Sequence, residues 1–153
     1  MKRIEVRLSL PVVAPLLDVI KGASENLEKK LAAPLAMTDL DPEFQSEWTN
    51  ELHTGQSADV RVLLALFDEN FFTESVIALD ASNAEPVIRA CAAIRLQLRE
   101  KYLKALDDEI LESSNVELDQ LDEPVKKAFM CYLFLATLQE LIIQHLDSSI
   151  IES

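Results

Sequence analysis

Residues 3–8 alternate strictly, with Ile4, Val6 and Leu8 on one side and Arg3, Glu5 and Arg7 on the other. That period belongs to a half-buried β-strand. Pro11 and Pro15 mark an irregular helix start. From Val13 the apolar spacing turns helical: Val13, Leu16, Leu17, Ile20, Ala23, Leu27 and Leu31, with Asp18, Lys21, Glu25 and Glu28 opposite. This amphipathic helix is expected to end near Ala32 or Ala33, because Pro34 disfavours helical backbone in the residue before it. Residues 34–41 read as a loop. Asp41-Pro42-Glu43 is a helix start: an acid at the N-cap, Pro at the first helical position, and an acid at the positive dipole end. Phe44, Trp48 and Leu52 form its stripe. Gly55 is the expected stop, and Ser57 the expected cap of a further helix with the stripe Val60, Leu63, Leu64, Phe67.

The stretch 68–82 is ambiguous. Ser75 to Leu79 is a candidate short strand that would pair with residues 3–8, although a two-stranded sheet needs packing support. Asp80 to Asn83 is a cap-like cluster before a long helix expected over Ala84–Leu111, with Pro86 in its first turn. Ser113-Ser114-Asn115 interrupts it, and residues 116–122 form an acidic connector. Asp122-Glu123-Pro124 repeats the capping logic for a last helix running from Glu123 to Leu146. That helix is apolar almost all round, which marks it as the most buried. The pattern predicts a mostly α fold. It is one domain over residues 1–153, a bundle of about five helices with a short N-terminal β-strand and a candidate partner strand near 75–79.

Composition agrees with helices. Of 153 residues, 49% are hydrophobic and only two are glycine, Gly22 and Gly55, so tight turns are few. The net charge of −13 matters for partners: it would repel a nucleic acid or an anionic membrane. No basic run exceeds Lys29-Lys30 or Lys126-Lys127. A protein partner or a second copy stays compatible. Ile4 to Ile20 is broken by Glu5, Arg7 and Asp18, so it does not read as a signal peptide. The apolar run near Phe129–Leu138 is short for a membrane span. Cys91 and Cys131 sit in apolar helical runs, as core thiols do, and a cytoplasmic setting follows.

One polar constellation stands out. On a wheel of about 100° per residue, Arg95 falls inside the apolar face of the fourth helix, and Arg99 lies near it. Glu140 falls between Phe129 and Leu133 on the last helix. Opposite charges in facing apolar stripes call for an inter-helix ion pair, Arg95 with Glu140, since a lone buried charge is costly. Glu47 and Glu51 compete for Arg95, and both long side chains can instead reach the helix edges. Trp48, Phe71 and Phe72 are candidate interface aromatics, with core packing as the alternative.

Other chemistry is thinly supported. Di-iron sites need Glu-x-x-His, but Asn50 and Ile142 stand three residues before His53 and His145. Zinc spacings and phosphate loops are missing. Asp39, Asp41 and Glu43 lack the glycine of a calcium loop, since Phe44 stands there. A Cys–His nucleophile using Cys91 or Cys131 stays formally open. The acidic cluster Asp107-Asp108-Glu109 with Glu112 reads as a solvated helix end. No cofactor and no catalytic residue are expected.

The order of elements, with Glu43-Phe44-Gln45, Arg95-Leu96-Gln97-Leu98 and Leu138-Gln139-Glu140-Leu141, resembles an uncharacterised bacterial family whose genes often neighbour that of the ClpS protease adaptor. The chain keeps that family's Arg-Leu-x-Leu but has Ala92 and Arg99 where the family pattern has an Asn and a Gly. The resemblance implies a cytoplasmic bacterial protein linked to regulated proteolysis, with no activity to carry over. Two classes result: a non-catalytic interaction or regulatory module, or a small-anion-binding protein or enzyme that uses a pocket around Arg95 and Arg99.

Overall fold

The computed structural model describes residues 3–27, 42–103 and 121–146. Among them the chain runs β1 (Arg3–Arg7), α1 (Leu10–Leu27), α2 (Pro42–Ala65), α3 (Glu69–Glu74), β2 (Val76–Asp80), α4 (Ala84–Lys101) and α5 (Glu123–His145). Four long helices surround one core, and a two-stranded antiparallel sheet covers its end. The fold is mostly helical, as the pattern predicts. The expected strand at residues 75–79 is β2, paired from Arg3↔Asp80 to Arg7↔Val76.

The sheet gains its packing support from the bundle. Its inward residues Ile77 and Leu79 are buried, joined by Ile4 and Val6, which are half-buried. α1 buries Val13, Leu16, Leu17, Ile20, Ala23 and Leu27, the stripe read from the sequence up to the last described position. The carbonyl of Leu27, the last described residue of α1, accepts from Gln56 Nε2 at 3.0 Å and bonds His53 Nε2 at 2.8 Å, so two α2 side chains tie α1 to α2 there. Because the acceptor is a carbonyl, the His53 proton sits on Nε2.

Three element boundaries differ from expectation. Gly55 does not stop a helix: α2 continues through it to Ala65, and the two expected helices are one. Gly55 keeps a negative φ, and a glycine inside a helix costs only about 1 kcal/mol. Residues 69–74 form the unforeseen α3, capped by Asp68, whose Oδ1 accepts from Phe71 N–H at 3.2 Å. Ser75 closes it in a left-handed conformation, φ 60°. α4 ends at Lys101, with Leu103 N–H bonding the Leu98 and Arg99 carbonyls. Residues 104–111 of the expected continuation, the Ser113 break, the acidic clusters, the loop before Pro42 and Leu31 lie outside the described residues.

α5 is long and apolar enough, by length and composition, to cross a membrane. In the fold its stripe of Ala128, Cys131, Leu135, Leu138 and Ile142 is buried in the core.

Candidate functional site: a groove between α2 and α4

Arg95 does reach across to α5, but its partner is Gln139 and not Glu140. Arg95 Nη1 donates to Gln139 Oε1 at 2.7 Å, and Gln139 Nε2 donates back to the Ile88 carbonyl of α4 at 3.0 Å. The guanidinium carbon lies 4.3 Å from the Tyr132 ring centroid. An amide oxygen and a π-face thus hold this cation where a carboxylate was expected. Arg95 Nε is buried, with no hydrogen-bond partner among the described residues. Glu140 is exposed, and its Oε1 accepts from Gln144 Nε2 at 3.2 Å. The reason is drift. The buried stripe repeats at 3, 4, 3 and 4 residues through Ala128, Cys131, Leu135, Leu138 and Ile142. Relative to a 3.6-residue helix such a stripe slides by about 20° per heptad. Glu140 shares an ideal wheel position with Phe129, yet eleven residues later the stripe has moved off that line and Gln139 has joined its flank.

Glu47 and Glu51 stand exposed on α2 and do not meet Arg95. Arg99 is half-buried near the end of α4. Neither of two large cavities is lined by Arg95 or Arg99. Of the aromatics, Trp48 is 43% and Phe72 49% exposed, whereas Phe71 is fully buried. Phe71 is therefore a core residue: α3 turns it inward, edge-on to Phe67 at 5.3 Å, and turns Phe72 outward.

The thiols of Cys91 and Cys131 are both pushed up to about 12 by burial; at Cys91 the neighbouring Arg95 opposes the shift and Cys131 adds to it. That is the reverse of an activated nucleophile. Among the described residues no three His, Cys, Asp or Glu side chains are grouped to hold a metal.

Two concavities stand out among the described residues. One, of about 630 Å³, lies over the outer face of the sheet and is rimmed by charges of both signs, Arg3, Glu5, Arg7, Asp68, Glu74 and Asp80. Asp80 within it is held below the usual carboxylate range by the Ser82 hydroxyl and by the Ser82 and Asn83 N–H groups, with Arg3 adding to them. The other, of about 500 Å³, runs between α2 and α4. Its floor is apolar and small: Leu52, Gly55, Ala90, Ala92, Ala93 and Leu96. An added Cβ on Gly55 would meet nothing within 4 Å. At one end Arg89 clamps the helices with two 3.0 Å bonds, from Nε and Nη2, to the Asp59 carboxylate, and Glu85 lies 3.6 Å away. The Asp59 bond also holds the Arg89 guanidinium above its ordinary range. Leu52 in its lining is 39% exposed, and Trp48, one helical turn before it on α2, is 43% exposed. The sequence showed this stripe as the apolar face of a helix, with Trp48 a candidate interface aromatic. It missed the groove because the small residues on α4 carry no chemical signature of their own.

A family described as a domain of unknown function, DUF2017, matches residues 22–146. The chain belongs to this family. No curated protein and no solved structure matches it. The DUF2017 match takes in the α2/α4 groove, Arg95 and Gln139, and leaves β1 outside.

Proposed function

We propose that this DUF2017 chain is a non-catalytic protein-interaction module that receives an amphipathic, basic helix of a partner protein in the α2/α4 groove. The observation that carries the reading is an apolar floor of small residues with the exposed Leu52 in its lining and the exposed Trp48 one helical turn before it as a lip. Helix-in-groove binding needs such a floor, so that a partner's larger side chains can enter. Glu47 and Glu51 beside the lip, and the net charge of −13, favour a partner with Lys or Arg along its edge. Two buried free thiols fit the expected cytoplasmic setting. The link to regulated proteolysis implied by the family resemblance makes protease adaptors the first partners to assay. The anion-binding alternative has less support, because Arg95 is already engaged by Gln139 and Tyr132.

Trp48 is the only tryptophan of the chain and reports directly on the lip. Titration with a model basic amphipathic helix, a Leu/Lys repeat peptide, is expected to give a saturable blue shift of Trp48 emission. The shift should vanish in Ala93→Arg, which fills the groove, and with an acidic Leu/Glu repeat. Equal response to both peptides, or an unchanged response in Ala93→Arg, would overturn the reading. Pull-down from the native organism with wild type and Ala93→Arg then names the partner.

A further inference from the structure

The hydrogen-bond phase of the sheet shows which of its edges is open. Leu8 N–H donates to the Ser75 carbonyl at 2.8 Å, one step beyond the Arg7↔Val76 pair. Bonded and non-bonded pairs alternate along an antiparallel ladder. Val6–Ile77 and Ile4–Leu79 are therefore the bonded pairs. The N–H and C=O groups of Arg3, Glu5 and Arg7, and those of Val76, Ala78 and Asp80, point away from the partner strand.

The two outer edges are treated differently. On β2 the edge is plugged by one side chain. Asn83 Nδ2 donates to the Ala78 carbonyl at 3.1 Å, and Asn83 Oδ1 accepts from Asp80 N–H at 2.9 Å. This amide takes the role of a neighbouring strand. On β1, among the described residues, no donor or acceptor reaches the outward backbone groups of Arg3, Glu5 or Arg7. The inward residues tell the same story: Ile77 and Leu79 on β2 are buried at 1% and 0%, whereas Ile4 and Val6 on β1 stay half-exposed.

We propose that β1 pairs edge to edge with β1 of a second copy, antiparallel about a two-fold axis at Ile4, giving a continuous sheet β2-β1-β1-β2. Charge and sterics select that register. Bonded pairs must be drawn from the residues with outward groups. An axis at Glu5 sets Glu against Glu and Arg3 against Arg7, all like charges, which is destabilising in directly opposed positions. An axis at Val6 brings Ser9 opposite Arg3, but the Ser9 carbonyl already accepts from Val12 and Val13 N–H at the start of α1. It also drives each α1 toward the other copy's strand. With the axis at Ile4, Arg3 of each copy faces Glu5 of the other, each pair exchanges two backbone bonds, and the half-exposed Ile4 side chains meet at the axis. α1, which begins at Leu10, lies beyond the paired stretch. Two-fold pairing of a surface with itself is the commonest form of oligomer. The interaction is independent of the α2/α4 groove.

The paired edge is small, so the dimer belongs to the weak class and is read at about 10–1000 µM chain. Sedimentation equilibrium over that range is expected to show a monomer–dimer equilibrium. Glu5→Pro removes an outward N–H and no ladder bond, and an edge strand tolerates Pro. It should weaken the dimer at least tenfold while far-UV circular dichroism stays unchanged. A charge exchange guards against misfolding as the cause. A Glu5→Lys chain and an Arg3→Glu/Arg7→Glu chain should each be monomeric alone and associate when mixed. A wild type monomeric throughout the range, a folded Glu5→Pro that dimerises like wild type, or two charge variants that do not associate on mixing would each overturn the proposal.

Discussion

Gln139→Met isolates the polar link between α4 and α5. The substitution keeps chain length and approximate volume while deleting both polar atoms, so no large cavity term enters. It removes the 2.7 Å bond from Arg95 Nη1, which is charge-assisted and worth about 1.5–3 kcal/mol. It also removes the 3.0 Å bond to the Ile88 carbonyl, worth about 1 kcal/mol. The Tyr132 face at 4.3 Å remains. Arg95 Nε already lacks a partner, so the cation gains no new protein bond in compensation, but Arg95 is only half-buried and recovers some water. The expected net loss is about 2–3 kcal/mol. At about 2–4 °C per kcal/mol for a chain of this size, the melting temperature falls by roughly 4–12 °C. Glu140→Gln, which touches an exposed carboxylate bonded to Gln144, should cost less than about 0.5 kcal/mol. Urea unfolding followed by far-UV circular dichroism measures both. A cycle with Arg95→Met should return a coupling of about 1–2 kcal/mol. If Gln139→Met is neutral, or if Glu140→Gln costs as much, the assignment of the Arg95 partner is wrong.

Gly55→Ala should stabilise the chain by roughly 0.5–1 kcal/mol, because the new Cβ meets nothing within 4 Å and α2 runs through this position; a loss in urea unfolding would mean that the helix does end there. Phe71→Ala should cost about 3–5 kcal/mol and Phe72→Ala only a fraction of that, since their exposures are 0% and 49%; similar unfolding midpoints for the two variants would contradict the inward turn of α3. Alkaline unfolding tests the buried thiols. With folded values near 12 against an ordinary 9.0, the unfolded chain loses these protons first as pH rises, so stability is intact below pH 9 and declines from there toward pH 12. At pH 10 the loss is about 1 kcal/mol per thiol. A Cys91→Ala/Cys131→Ala variant should show a flatter stability profile over this window, and an identical slope would refute the burial argument.

Local sequence determined whatever depended on periodicity alone. The alternation that begins at residue 3 is β1 (Arg3–Arg7), the Val13–Leu27 stripe is the buried face of α1, and α5 opens at Asp122-Glu123-Pro124, although the Asp122 side chain makes no cap bond. Even β2 was visible as a short β-branched run, because its inward side chains needed burial whichever element supplied it. Tertiary structure decided what depends on neighbours. Gly55 carries a local stop signal, but continuous packing of α2 against α4 outweighs a propensity cost of about 1 kcal/mol. Phe71 and Phe72 are adjacent and chemically alike, so only the direction of α3 could send one inward and the other outward. Arg95 had to find a partner, and the wheel correctly put it on α5, yet a drift of a few tens of degrees in the buried stripe exchanged Glu140 for Gln139. The two surfaces proposed to receive partners were the least legible. Alanines and a glycine become a groove only when two helices set them side by side, and an edge strand is open only when nothing else in the fold bonds to it.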